Sequence, residues 1–286
     1  MYLDLYKIDG TINNDTEPCF HNPETYPNFQ EQLQEFKDLL IELVYLNESK
    51  TFYKFGDGDY YFLRKEPVGS ATPGRRALSK DYDQINHEAF VTGAHLCDYY
   101  TCEIYPTNRA WFANVINRDV DYPAEFGYGL VTNKWLLETF SGSIGLIGAD
   151  QKMNIIQNLM EAPQYQDYLG LEKFEDYISL PQKFACDDID ATEQMVAEQL
   201  KNSTSKIFLM GMGHVKSGLI HRLKKHANAV FLDVGASIDA LAGIIDVNRP
   251  FAGDWTNYQI DEPELYNDVD FLAYEGQGKH ITLSRE

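Results

Sequence analysis

Three short apolar runs constrain this chain more than anything else in it. They are Ser-Ile-Gly-Leu-Ile-Gly at residues 143–148, Lys-Ile-Phe-Leu-Met at 206–210 and Ala-Val-Phe-Leu-Asp-Val at 229–234. Each is too short for a typical helix and nearly continuous in its apolar character, the pattern of a strand buried on both faces rather than one. Helical patterns follow the runs, at 151–161, 190–201 (after a further strand at 174–180) and 214–226. Strand and helix alternating at this spacing predict an α/β chain, Rossmann-like, with a mostly parallel, doubly wound sheet flanked by helices.

The first half fits the same scheme. Phe29, Leu33, Phe36, Leu40 and Leu43 recur every three or four residues, one buried face of a helix from 28 to about 47. A strand is expected at 51–55, followed by a glycine-rich loop. A helix is expected at 79–96 with Ser79 as its N-cap, then a strand at 99–105 closed by Pro106, and helix again at 129–140. Asp150 is a candidate cap for the helix at 151–161, which ends before Pro163. Prolines and polar residues mark 1–27 as an irregular N-terminal arm. The segment 28–250 then forms the Rossmann-like domain, and 251–286 a C-terminal extension with a hairpin around 275–278.

Charge narrows the function. Forty-four acidic residues against 24 basic ones give a formal net charge of -20 over 286 residues. Such a field repels phosphate backbones and argues against nucleic-acid binding while leaving room for a local basic pocket. No apolar stretch approaches the ~20 residues of a membrane span. The first ten residues carry Asp4 and Asp9 and lack the order of a secretory signal, so a cytoplasmic location is expected. Cys19, Cys97, Cys102 and Cys186 are too scattered for a disulfide framework and read as buried thiols.

The sharpest local feature is Phe55-Gly56-Asp57-Gly58-Asp59, directly after a strand. Two carboxylates two residues apart can converge on a hard divalent cation whose remaining positions go to water and substrate phosphates. The alternative is a solvated acidic turn. A second feature is the turn Gly211-Met212-Gly213-His214-Val215-Lys216-Ser217, where a strand runs into a helix whose N-terminal N–H groups suit an anion. It satisfies neither the dinucleotide fingerprint nor the P-loop pattern, and its glycines also suit simple close packing. Asp233 or Asp239, at the end of the next strand, are candidates for orienting a ribose or sugar, with helix capping the rival role for Asp239. Arg75 and Arg76 offer local positive charge, and Trp111, Trp135 and Trp255 a sugar-stacking platform, although turns and core packing are the commoner fates of such residues.

Residues 51–59, Thr-Phe-Tyr-Lys-Phe-Gly-Asp-Gly-Asp, resemble the RFGDGE-like segment of the GT-D-fold glycosyltransferases. Later landmarks fall in the family's order: Leu146-Ile147-Gly148, then Phe208-Leu209-Met210-Gly211-Met212-Gly213, then Phe231-Leu232-Asp233-Val234-Gly235. Together they cover roughly 28–246. The resemblance implies a transferase binding a nucleotide-sugar donor, a UDP-sugar favoured, with Mn2+ or Mg2+ at Asp57 and Asp59. It departs from the family pattern in Asp59, where Glu is usual, and in Lys54, where Arg is usual.

On this reading Asp57 and Asp59 hold the cation, while Phe55, Gly56, Gly58, Gly211, Gly213, Lys216, Ser217 and Asp233 line the nucleotide-sugar site. His214, Asp239 and Glu103 are the candidate general bases, with a glycan or glycoprotein as acceptor. A homo-oligomer is left open. The rival readings are an S-adenosylmethionine-dependent or other Rossmann-type transferase centred on the Gly211 turn, and a non-catalytic nucleotide-sugar-binding module.

Overall fold

The computed structural model describes residues 28–66, 77–102, 106–244, 258–260 and 279–281. The expected arm at 1–27, Cys19, Arg75, Arg76, Glu103, Trp255 and the hairpin at 275–278 lie outside the described residues. Seven strands form one sheet: β1 (Lys50–Phe55), β2 (Tyr99–Cys102), β3 (Tyr122–Pro123), β4 (Ile144–Ala149), β5 (Asp176–Leu180), β6 (Ile207–Gly211) and β7 (Val230–Asp233). Their order is β3-β2-β1-β7-β6-β4-β5, and every ladder in it is parallel. The sheet is thus the α/β, Rossmann-like arrangement that the apolar runs predict.

The two-residue period of each strand divides the core between two faces. On one, Phe52, Leu146, Leu209 and Leu232 pack beneath α1 (Phe29–Tyr45), which buries Leu33, Phe36, Leu40 and Leu43. On the other, Tyr53, Ile147, Phe208, Met210 and Phe231 form the second cluster. That face is covered by α2 (Asp57–Leu63), α3 (His87–Ala94), α4 (Pro106–Ile116), α9 (Ile189–Leu200) and α10 (Lys216–Leu223). The helices α5 (Ala124–Thr132), α6 (Trp135–Thr139), α7 (Asp150–Leu159), α8 (Pro163–Leu169) and α11 (Ser237–Leu241) join α1 on the first face. Neighbouring β1 and β7 therefore send their connections to opposite faces, through α2 and α11. In open α/β sheets ligands enter at such a switch point, beyond the carboxyl ends of the strands.

Several expectations are corrected. The Gly56–Asp59 segment is not a loop: Asp57 opens α2, with Gly56 in the N-cap position. Ser79 caps no helix, since its N–H donates to Asp187 Oδ1 at 2.8 Å and its hydroxyl to the same carboxylate; the helix starts at His87, capped by Asn86. The expected helix at 129–140 is two, separated where Lys134 takes φ 68°. Helix α7 ends at Leu159, before Pro163 as expected, and Pro106 and Pro163 also open α4 and α8. A parallel pair, β8 (Tyr258–Ile260) with β9 (Lys279–Ile281), stands in the C-terminal part. Cys97, Cys102 and Cys186 are buried free thiols, as expected.

Candidate functional site

At the carboxyl ends of β1, β6 and β7 lies a polar cavity of about 210 Å³. It exists because three glycine-containing turns meet there. The first passes from β1 into α2. Its lead residue, Gly56, donates its N–H to Asp59 Oδ2 at 2.9 Å, and the Asp59 N–H returns a bond to the Gly56 carbonyl at 3.1 Å. This reciprocal cap lets a Gly- and Asp-rich segment, poor in helix formers, begin a helix. The second turn has Gly213 at φ 57° and carries His214 back over α2. The third has Gly235 at φ 52°, beneath Lys54 and Tyr128. Both positive φ values favour glycine, which alone adopts them without a Cβ penalty.

The floor of the cavity is an ion triad. Lys216 Nζ stands 2.9 Å from Asp59 Oδ2 and 3.0 Å from Asp233 Oδ2, and it also donates to the Lys54 carbonyl. Asp59, Lys216 and Asp233 are 4, 6 and 3% exposed. Burial acts to lower the Lys216 pKa, but Asp233 and Asp59 together outweigh it and hold the ammonium above the usual lysine value. The two nearby aspartates favour its charged form. Asp233 is fully engaged: Oδ2 also accepts the Lys54 N–H at 3.2 Å, and Oδ1 accepts the Gly235 N–H at 3.0 Å. Beneath the ammonium lies the Tyr53 ring, 5.1 Å away. Burial, then the charges of Asp59 and Asp233, push the Tyr53 phenol well above its ordinary value.

Around the rim, Lys152 of α7 pairs with Asp239 of α11, and Lys54 lies 4.8 Å over the Tyr128 ring. Three lysines (54, 152, 216) face three aspartates (59, 233, 239) in this cavity, an even balance in a strongly acidic chain. A second cavity, of about 250 Å³, adjoins it across the Gly211–His214 turn and shares Lys152. Its walls are mainly apolar, including Ala149, Leu180, Ala185, Cys186 and Met212. The buried His214 ring stacks on Phe62 at 4.9 Å and 6° and lines both cavities.

The structure thus brings Gly56, Gly58, Asp59, Gly211, Gly213, His214, Lys216, Asp233 and Asp239 to one place. Asp57 stands at the first position of α2; its side chain lies outside the described residues. Two expected site residues go elsewhere. Phe55 is fully buried against Phe112, ring centroids 4.1 Å apart, and Ser217 donates its hydroxyl to the His214 carbonyl at 2.9 Å. Trp111 packs with Phe55 and Tyr60 on one face of the sheet and Trp135 with Phe140 on the other, so these two form no common sugar platform. Asp239 caps no helix; its partner is Lys152. Lys152 and the apolar cavity escaped the sequence reading. The signal for Lys152 was its place in the first turn after the 143–148 strand.

No protein-family model matches the sequence, and no curated protein matches it. Two solved structures resemble the fold. One, described as a new DUF1792 glycosyltransferase from Streptococcus sanguinis, is 11% identical with a TM-score of 0.46, over 86% of this chain and 96% of that one. The other, a selenomethionine-substituted DUF1792 domain of unknown function, is 10% identical with a TM-score of 0.49, over 88% and 98% of the two chains.

Proposed function

We propose that the chain is a glycosyltransferase that takes a sugar from a nucleotide-sugar donor and passes it to a glycan or glycoprotein acceptor. One observation carries the reading: two cavities of contrasting chemistry, one lined by three lysines and three aspartates and one mainly apolar, adjoin across a single glycine turn at the sheet's switch point. A nucleotide sugar has the same division, a charged diphosphate between an aromatic base and a sugar. The resemblance of the ordered sequence landmarks to those of GT-D-fold glycosyltransferases supports the same class. In this arrangement Lys54 and Lys152 offset the diphosphate charge, and the apolar cavity takes the base. The Gly211–His214 backbone allows close approach of the ligand between them.

His214 and Asp239, which both line the cavity, are the groups proposed to orient an acceptor hydroxyl or accept its proton. A divalent cation, which the resemblance implies at Asp57 and Asp59, would supply Lewis-acid stabilisation of the departing nucleotide. The described donor set fits one poorly. Asp59 already accepts from an ammonium and a backbone N–H. Among the described residues, no group of three or more His, Cys, Asp or Glu is placed to hold a metal ion.

The test is nucleotide release from UDP- and GDP-sugars, with and without glycan acceptors, by the wild type and the Lys152→Met and Lys54→Met variants. Turnover that falls at least about tenfold in both folded variants is expected, the size of one lost charge-assisted contact. Turnover indifferent to both substitutions contradicts this use of the cavity.

A further inference from the structure

We infer that the Lys216 ammonium is the resident cation of the Asp59–Asp233 carboxylate pair, so that Asp59 is not a ligand for divalent metal in this chain. The inference concerns the pair itself and stands whether or not the ligand is a nucleotide sugar.

An ammonium carries three N–H donors and no acceptor. Here Lys216 has three oxygen partners, one carboxylate oxygen from each aspartate and the Lys54 carbonyl. That is the complete complement of an ammonium, and all three side chains are more than nine-tenths buried. A hard divalent ion seeking the same oxygens needs distances of about 2.0–2.6 Å. It would have to lie beside a fixed positive charge, and two cations at that separation repel each other.

The backbone that carries the ammonium is held in place. Lys216 is the first residue of α10, and α10 is pressed onto α3: a Cβ on Gly93 would lie 2.3 Å from the Ser217 carbonyl oxygen. The helix is held by backbone contact one residue from the lysine. This fold has built the positive charge between the two carboxylates into the chain.

The experiment titrates Mn2+ alone against the full-length wild type, Asp59→Asn and Lys216→Ser, with free Mn2+ read by electron paramagnetic resonance and folding checked by circular dichroism. Wild type and Asp59→Asn are expected to bind Mn2+ identically, because Asp59 contributes nothing to ion binding. Folded Lys216→Ser is expected to gain one bound Mn2+ per chain, and that gain to vanish when Asp59→Asn is added. A wild-type site lost on Asp59→Asn would overturn the inference. So would a folded Lys216→Ser that binds no more Mn2+ than wild type. Should Lys216→Ser not fold, the comparison of wild type with Asp59→Asn still decides, since it needs no lysine variant.

Discussion

Gly58 and His214 meet with no room for one more carbon: a Cβ at Gly58 would lie 2.8 Å from Cε1 of the His214 ring. The imidazole is buried and stacked on Phe62, so moving it aside breaks that stack. The contact joins the acidic start of α2 to the turn after β6, so the two sequence features that looked functional are packed against each other. Gly58→Ala is expected to destabilise by about 1–3 kcal/mol, the usual cost of overpacking, and to weaken ligand binding by displacing His214. Urea denaturation and ligand titration of the same variant check both effects. Unchanged stability would show that the ring has more freedom than the stack allows.

Removing the charge of Lys216 leaves two buried carboxylates facing each other. Lys216→Met is expected to cost roughly 3–5 kcal/mol, as when one partner of a buried pair is lost. Because folding raises the Lys216 pKa, its contribution is fully present below the unfolded lysine value of 10.5 and is lost as pH rises through the higher folded value. Denaturation midpoints at pH 7 and in the alkaline limb, for wild type and variant, report this. A loss below about 1 kcal/mol at pH 7 is incompatible with a buried ion triad.

Asp98 ties three elements together. Its Oδ2 accepts the Thr51 N–H at 2.8 Å and hydroxyl at 2.7 Å, and Lys224 reaches both carboxylate oxygens, at 2.9 and 2.8 Å. Burial acts to raise the Asp98 pKa, but the bonds from Lys224 and Thr51 prevail and lower it. Its stabilisation is therefore present above the unfolded value of 3.8 and disappears as pH falls through the lower folded value. Asp98→Asn should be less stable at pH 7 and show a shallower acid limb, measured by thermal unfolding from pH 7 to pH 3. An unaltered acid limb would place the titrating groups elsewhere.

His221 behaves in the opposite chemical sense. Burial, helped by the positive charges of Arg222 and Lys225, pushes its pKa down to about 4. Folding thus disfavours its protonated form, and the stability it permits is present above the unfolded histidine value of 6.5 and declines as pH falls from there toward 4. The ring resonances should titrate near pH 4 in an NMR series. A midpoint near 6.5 would mean that the α3–α10 interface is open to water.

The apolar cavity can be filled without touching the ion triad. Ala185→Leu, on its wall, is expected to weaken nucleotide binding at least about tenfold, the scale of a steric loss of 1.4 kcal/mol or more. Inorganic pyrophosphate, which needs only the charged side with Lys54 and Lys152, should bind as to wild type. Equal loss for both ligands would show that the two cavities do not divide the ligand as argued.

How much of this was legible beforehand follows from the range of each interaction. The sheet was readable because β4, β6 and β7 bury both faces, so their apolar runs are continuous and need no knowledge of partners. Helix α1 was readable from its own repeating face. Helix α7 ends before Pro163 as its sequence indicates; that Pro106 and Pro163 also open α4 and α8 follows because proline at a helix start loses no hydrogen bond and is preset in φ. The start of α2 was taken for a loop because the capping carboxylate that compensates Gly56 and Gly58 became visible only as a hydrogen bond. Lys216 was recognised as a site residue, but its role was not. That role depends on Asp59 and Asp233, brought to it by β1 and β7 from distant parts of the chain. No local pattern encodes that meeting.

The most direct measurement is thermal unfolding of the wild type against UDP, GDP, their sugar conjugates and S-adenosylmethionine, each in EDTA and in Mn2+. A ligand at a hundred times its dissociation constant adds about 2.7 kcal/mol, a shift of a few degrees for a chain of this size. The account predicts that a nucleotide sugar raises the midpoint by the same amount in EDTA and in Mn2+, and that Lys152→Met diminishes the shift. Stabilisation by S-adenosylmethionine alone, or by no nucleotide sugar in either medium, would contradict it.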